Sequence, residues 1–223
     1  MLPRLSITDP LITSSDNKCH SSFIVSNMCV LIADIYVNSS LIKGLNDALL
    51  KSACNYARRV RLGDICEITT GKLDANAMED NGKYPFFTCA ESPYLINSYA
   101  FDTEALLISG NGANVGYINY YNGKFNAYQR TYVLDCFSEN IQYIRTFLKS
   151  YLPKRIALEK STSNTPYIVM STLSDMPIYL PSKDEQYKIC QTITKLETKL
   201  SVEQTIFSNM ILTKKYLLTT LFI

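Results

Sequence analysis

The stretch GKFNAYQRTYVL, residues 123–134, joins an amide-rich, aromatic and cationic cluster to an apolar run typical of a strand. The dipeptide Asn122–Gly123 stands between the strand-like runs YINYY and KFNAY, and both of its residues accept positive φ. We therefore expect a hairpin turn at this dipeptide. Asn, Gln and Arg side chains read base edges, but they also tie down turns, so the residues of this stretch leave both roles open.

Short strand-like runs surround this stretch over residues 61–181, separated by turn signals such as Asn81–Gly82. One helical pattern interrupts them at residues 141–152, and we expect it to end or kink at Pro153. This order predicts an α+β fold with one mixed α/β domain of several short strands and few helices. The strand-like runs are DICEIT, YPFFT, EALLIS, GYINYY, QRTYVLD and MPIYLP.

Residues 182–223 contain neither Pro nor Gly and predict one long C-terminal helix. Ser182, followed by acidic residues, is a typical helix start. At 1.5 Å per residue, roughly 40 residues extend about 60 Å, and a near-heptad apolar stripe of that length predicts a coiled-coil-type partner helix. Glu203 and Lys214 interrupt the stripe. We expect dimerisation or partner docking through Ile189, Ile193, Leu196, Leu200, Phe207, Met210, Leu217 and Leu221.

The N-terminal part of the chain is less informative. Residues 41–60 predict a helix, because apolar residues such as Leu45 and Leu49 recur at helical spacing before the basic pair Arg58–Arg59. Residues 1–40 lack a clean helical or strand period, so we treat them as an extension of unknown role.

Composition and motif spacing argue against most enzyme chemistry. The seven cysteines contain no C-x-x-C pair and His20 is the only histidine, so we expect no metal site. The glycines at residues 110–116 follow the spacing G-x-G-x-x-x-G, which differs from the dinucleotide-binding motif, and we expect no cofactor. Without the motif of a nucleophilic, nuclease or methyltransferase site, the chain is predicted to be non-catalytic.

The absence of a signal peptide or membrane-length apolar run predicts a cytoplasmic protein.

The formal net charge of +2 gives no global signal for nucleic acid, so polyanion binding would depend on local clusters. Lys and Arg bind phosphates, whereas Arg, Asn and Gln read base edges, although ordinary surface residues have the same composition. From residue type and loop position, the candidate DNA contacts are Lys72, Asn111, Asn114, Arg130, Thr162, Asn164 and Thr165.

From Arg61 onward, the chain resembles a DNA specificity subunit of a type I restriction–modification system. The resemblance covers about 160 residues and rests on five motifs that occur in order with consistent spacing. They are LGDICEITTGK (62–72), GKYPFFT (82–88), LISGNG (107–112), GKFNAYQR (123–130), and PIYLPS (177–182) with Glu185-Gln186.

The resemblance implies a target recognition domain over residues 61–181 that reads one half of a split double-stranded DNA sequence. It also implies that the helix over residues 182–223 acts as a spacer and docks methyltransferase subunits, and through them restriction subunits. A full subunit has two recognition domains and two long helices, whereas this chain has one of each. It therefore resembles a half-subunit that pairs with a second copy or a second half-subunit. A truncated or rearranged fragment, acting as a stand-alone DNA-binding or protein-interaction module, is the alternative.

The resemblance also bears on the opening stretch, because this string recurs in relatives expected to read different targets. We therefore expect Asn126 and Gln129 to satisfy nearby backbone groups, and Gln129→Ala to lower stability more than it alters target choice. Arg130 stays open as a phosphate contact.

Overall fold

The computed structural model describes residues 35, 37–52, 57–159 and 167–221. The chain divides into a larger compact unit, residues 44–194, and a smaller one formed by residues 1–43 and 195–223. None of the helices within the described ranges is long and apolar enough to cross a membrane.

A six-stranded mixed sheet forms the centre of the larger unit, in the order β2-β7-β5-β6-β3-β4. Its pairs are antiparallel except for β3 and β6, which run parallel. β1 and β8 form a separate antiparallel pair. The strands are β1 Arg58–Arg61, β2 Glu67–Thr70, β3 Tyr84–Phe87, β4 Tyr94–Ile96, β5 Phe101–Ser109, β6 Ile118–Ala127, β7 Thr131–Asp135 and β8 Pro177–Leu180.

The described helices are α1 over residues 37–52, α2 Ile141–Leu158, α3 Met170–Ser174 and α4 Lys183–Leu221. Two short 3₁₀ turns occur at Leu62–Asp64 and Ala75–Ala77. The mixed α/β domain and the long C-terminal helix predicted from the sequence are therefore both present.

Helix α2 covers one face of the sheet and builds the main core of the larger unit. Tyr143, Phe147 and Leu148 are buried in the same cluster as Leu106 and Leu134 of β5 and β7. The hydroxyl of Tyr143 donates a hydrogen bond to the backbone carbonyl of Tyr179 at 2.6 Å, so this buried ring also satisfies its polar group.

The start of α4 is fixed by the last motif of the sequence. Ser182 and Glu185 form a reciprocal cap, in which each side chain accepts a hydrogen bond from the other's backbone N–H. Gln186 is buried; its Nε2 donates to Glu139 at 3.0 Å, and its Oε1 accepts from the backbone N–H of Asn140, the N-cap of α2. Glu185 thus caps α4, and Gln186 joins α4 to the start of α2.

The expected turn at Asn122–Gly123 is wrong. Strand β6 passes straight through this dipeptide, with Gly123 paired to Thr103 of β5. Gly123 does adopt a positive φ of 130°, but within the strand. The connection between β5 and β6 lies instead at residues 110–117. Eight consecutive cross-strand pairs with β5 outweigh the local turn preference of two residues.

Two helix boundaries also differ from the expectation. Residues Arg58–Arg61 form β1, which pairs with β8, instead of continuing the N-terminal helix, which spans residues 37–52. Helix α2 continues beyond Pro153 to Leu158. Pro153 is exposed, while the side chains of Leu152 and Ile156 pack in the core, so tertiary packing offsets the lost hydrogen bond.

The smaller unit contains a helix pair. Nδ2 of Asn38 in α1 donates a hydrogen bond to Oε2 of Glu203 in α4 at 2.8 Å, so α1 lies beside α4. The predicted stripe positions of α4 in this unit are half-buried at Leu196, Leu200, Phe207 and Met210. The side chains of Leu217 and Leu221 lie outside the described part. Ile189 and Ile193 belong to the larger unit, where Ile193 is buried.

Candidate nucleic-acid interface

Backbone hydrogen bonds gather several loops of the larger unit into one place, here called the loop cluster: residues 71–73, 88–90, 110–116 and 128–131. The N–H of Gly71 donates to the carbonyl of Thr131 at 3.3 Å, and the N–H of Gly110 donates to the carbonyl of Arg130 at 2.8 Å. A bridge between Leu73 and Tyr128 adds a further link. Segments that are far apart in sequence therefore share one surface.

Two glycines allow these loops to approach each other. A Cβ added at Gly71 would overlap the carbonyl of Ala127, and one added at Gly110 would overlap the carbonyl of Arg130. Neither glycine has a positive φ, so close backbone approach, and not an unusual dihedral angle, requires glycine here. Both glycines belong to the sequence motifs quoted above.

Cys89 connects the two predicted asparagines. Its thiol donates a hydrogen bond to Oδ1 of Asn111 at 3.0 Å, and its backbone carbonyl accepts one from Nδ2 of Asn114 at 3.1 Å. Each asparagine thus uses one side-chain polar group to hold the loop, and its other side-chain polar group forms no hydrogen bond within the described ranges. Sequence reasoning did not identify Cys89, because an isolated cysteine carries no spacing signal.

Lys72 and Arg130 supply the positive charge of the loop cluster. Both side chains are exposed, and within the described ranges neither forms an ion pair. Several other cations of the domain are engaged, for example Lys124, which lies over the ring of Tyr99 and 4.0 Å from Asp102. Uncompensated cations beside amide side chains are the residue types that bind a phosphate backbone and adjacent base edges.

The remaining predicted contacts, Thr162, Asn164 and Thr165, lie outside the described residues. The described chain resumes beside the loop cluster, where Tyr167 forms a bridge with Asn111 and the N–H of Ile168 donates to the carbonyl of Gly110. The other four predicted contacts all lie in the loop cluster, as its backbone and side-chain hydrogen bonds show. They are Lys72, Asn111, Asn114 and Arg130.

Asn126 and Gln129 play different parts. Asn126 is buried; its Nδ2 donates to the backbone carbonyl of Ser98 at 3.4 Å and its Oδ1 accepts from the N–H of Ala127 at 3.0 Å. The expected structural role of Asn126 is thus observed. Gln129 is exposed, and it is its backbone N–H that donates to the carbonyl of Leu73. The expected side-chain role of Gln129 does not fit this position.

A second group of polar side chains lies at the pairing of β2 with β7, where Glu67 faces Asp135. Ligand atoms of Glu67, Asp135 and Cys136 lie within 4.8 Å of one another. Partial burial, followed by the neighbouring Glu67, raises the pKa of Asp135. Asp135 in turn, together with burial, raises the pKa of the Cys136 thiol. Burial raises the pKa of the nearby Cys66 to about 12, which keeps that thiol protonated and unreactive.

Comparison with known proteins gives one matching family. The family model of the type I restriction modification DNA specificity domain matches residues 57–208. The EcoDI specificity subunit of a type I restriction enzyme, from Escherichia coli, is 45% identical over 149 residues, which are 66% of this chain and 32% of that protein. The chain thus spans about a third of the length of this curated relative.

Solved structures show the same fold at low identity. The S subunit of a type I restriction–modification system from M. genitalium aligns with a TM-score of 0.60 at 18% identity, covering 91% of this chain and 60% of that one. The HsdS subunit from Thermoanaerobacter tengcongensis aligns with a TM-score of 0.55 at 16% identity, covering 89% and 56%. The predicted fold class is confirmed.

Proposed function

The chain belongs to the type I restriction–modification DNA specificity family, and from this premise we propose that it reads one half of a bipartite double-stranded DNA target. The observation that carries this proposal is the grouping of Lys72, Asn111, Asn114 and Arg130 in one loop cluster. These residues come from separate loops, and their side chains combine uncompensated positive charge with amide groups.

The proposed mechanism divides positioning from reading. Lys72 and Arg130 bind phosphates and fix the register of the domain on the duplex, a contribution that weakens as salt concentration rises. The free polar groups of Asn111 and Asn114, with Thr162, Asn164 and Thr165, then face base edges in the major groove. The hydrogen bonds of Cys89 hold both asparagines in place before DNA binds, which reduces the entropy cost of recognition.

We propose that the chain itself is non-catalytic and needs no cofactor. Methyl transfer belongs to methyltransferase subunits docked on the helices, and cleavage belongs to restriction subunits recruited through them. Such a complex acts on DNA in the cytoplasm. The relative named a specificity subunit supports this division of roles.

Pairing with a second copy, or with a second half-subunit, completes the bipartite reading. The predicted stripe of α4 is already half-buried, and α1 lies beside it. A different face of α4 is exposed at Val202, Ile206, Leu212 and Tyr216, residues that span an arc of about 120°.

This exposed face suits antiparallel pairing with itself. Around a two-fold axis at Asn209, Val202 meets Tyr216 and Ile206 meets Leu212, as a symmetric contact between identical surfaces requires. Between Ser201 and Thr213 the only charged residue is Glu203. An Asn209→Cys variant should form a disulfide between two copies through the introduced thiols, whereas Gln204→Cys, on another face, should not. The reverse pattern would contradict this surface.

The experiment for the main proposal is co-expression with the methyltransferase subunits of a type I system. Co-purification and adenine methylation at one bipartite site are expected. The alternative is a module that acts only in protein interaction. It would co-purify without directing methylation.

A further inference from the structure

A concave pocket of about 260 Å³ lies beside the loop cluster in the larger unit. The pocket is lined by the larger residues Met78, Tyr94 and Tyr128, together with Ala75, Thr88, Cys89 and Ala90. The volume is below the roughly 300–1,000 Å³ typical of pockets that enclose a whole small molecule. It suits part of a larger ligand that enters from outside.

The pocket is continuous with the candidate nucleic-acid interface. Tyr128 is bridged to Leu73, the neighbour of Lys72, and lies two residues before Arg130. Cys89, in the pocket wall, donates its thiol hydrogen bond to Asn111. The pocket therefore adjoins the residues proposed to contact the phosphates and base edges of the duplex.

The pocket offers mostly apolar surface in a region that otherwise presents charged and amide groups. Met78 is 49% exposed and Tyr94 is 45% exposed, so both keep apolar area in water until a partner covers it. The C5-methyl group of thymine is the only methyl group that the four standard bases present in the major groove. The cations Lys72 and Arg130 favour a nucleic-acid ligand beside the pocket, and the apolar lining favours the thymine methyl group within it.

We propose that the pocket formed by Met78, Tyr94 and Tyr128 binds the C5-methyl edge of a thymine in the recognised half-site. This inference rests on the proposed function and adds to it the identity of one recognised group. It assigns part of the base selection to the pocket, in addition to Asn111 and Asn114. Cys89 connects the two sites, because it lines the pocket and forms hydrogen bonds with both asparagines.

The test replaces thymine by uracil, which lacks only the methyl group. After methylation mapping has identified the target, the chain assembled with its methyltransferase subunits is titrated with duplexes that carry uracil at one half-site position at a time. One position should bind about fourfold more weakly as uracil, because a buried methyl group contributes on the order of 0.8 kcal/mol.

Variants then assign the effect to the pocket. Met78→Ala should bind thymine and uracil duplexes within a factor of about 1.5, whereas Met78→Leu and the control Leu95→Ala should keep the preference. Leu95 is a suitable control because it is exposed on the same strand as Tyr94 and does not line the pocket. Thermal melting of each variant checks folding.

Two outcomes would overturn the inference while leaving the proposed function intact. Either no uracil substitution in the half-site weakens binding, or Met78→Ala keeps the full preference for thymine. A chain that directs no methylation and binds no DNA would contradict the proposed function, and the inference with it.

Discussion

The side-chain amide of Asn114 donates a hydrogen bond to the backbone carbonyl of Cys89 at 3.1 Å, across 25 residues of chain. This bond ties the loop that follows β5 to the loop that follows β3. Asn114, a candidate base contact, therefore also helps to hold the loop cluster together.

Asn114→Asp should separate these two roles. The carboxylate keeps an acceptor but loses the donor, so we expect the free energy of unfolding to fall by about 1 kcal/mol and DNA affinity to fall on all sequences alike. Urea denaturation and binding titrations measure the two effects, with the exposed neighbour substitution Ala113→Ser as the control. A changed target with unchanged stability would instead make Asn114 a pure reading residue.

Lys72→Ala should weaken DNA binding without changing the target. Removal of one phosphate contact should reduce the magnitude of the slope of log K against log salt concentration by about 1. The matched control is Lys124→Ala, which removes the same charge from a side chain engaged with Tyr99 and Asp102. An unchanged slope for Lys72→Ala would show that Lys72 does not contact a phosphate.

Gly71→Ala should destabilise the protein by about 2 kcal/mol or more, because the new methyl group would overlap the carbonyl of Ala127. Gly44 in α1 provides the opposite control, since a Cβ there would meet no atom within 4 Å. Gly44→Ala should therefore stabilise the helix by up to about 1 kcal/mol. Denaturation midpoints that shift equally in the two variants would contradict the close approach of the loops.

Asn126→Ala should lower the free energy of unfolding by about 1–2 kcal/mol, because it removes a buried amide with several partners. Gln129→Ala should change it by less than about 0.5 kcal/mol, since this side chain is exposed. Chemical denaturation of the two variants side by side tests the assignment. A larger loss of unfolding free energy for Gln129→Ala than for Asn126→Ala would support the structural role that the sequence predicted for Gln129.

Asp135→Asn should stabilise the protein at neutral pH. Burial and Glu67 raise the pKa of Asp135 in the folded state, so the folded chain binds a proton more readily than the unfolded chain does. Stability therefore falls as the pH rises from the ordinary value of the group through the raised one. The variant should gain about 0.5 kcal/mol at pH 7, the scale of a cross-strand pair, and lose this advantage at acid pH.

A pH series of urea denaturation curves measures this effect. The exposed Asp80 offers the same charge change without a facing carboxylate, so Asp80→Asn serves as the control. Equal stability of the wild type and Asp135→Asn at all pH values would show that the facing carboxylates do not repel each other in solution.

The sequence predicted well those features that depend on many residues acting together. The stripe from Leu196 to Met210 repeats often enough to specify a long helix with a covered face, and the cap at Ser182 marks its start. The strand-like runs likewise became strands, because β-branched and aromatic residues suit a half-buried sheet.

Features decided by long-range pairing could not be predicted in this way. Asn122–Gly123 favours a turn locally, but β5 pairs along the whole of β6 and holds the dipeptide in the strand. Arg58 and Arg59 continue a helical pattern, yet pairing with β8 makes them a strand. The grouping of Asn111 and Asn114 around Cys89 depends on loop packing, for which the sequence carries no periodic signal.

Sequencing of methylated adenines in cells that carry this chain together with methyltransferase subunits tests the central claim most directly. Recognition by the loop cluster predicts methylation at one bipartite motif, and a double variant of Lys72→Ala and Arg130→Ala should lose that methylation while the complex still assembles. An unchanged methylation pattern in the double variant, or site-specific methylation that does not depend on this chain, would contradict the account.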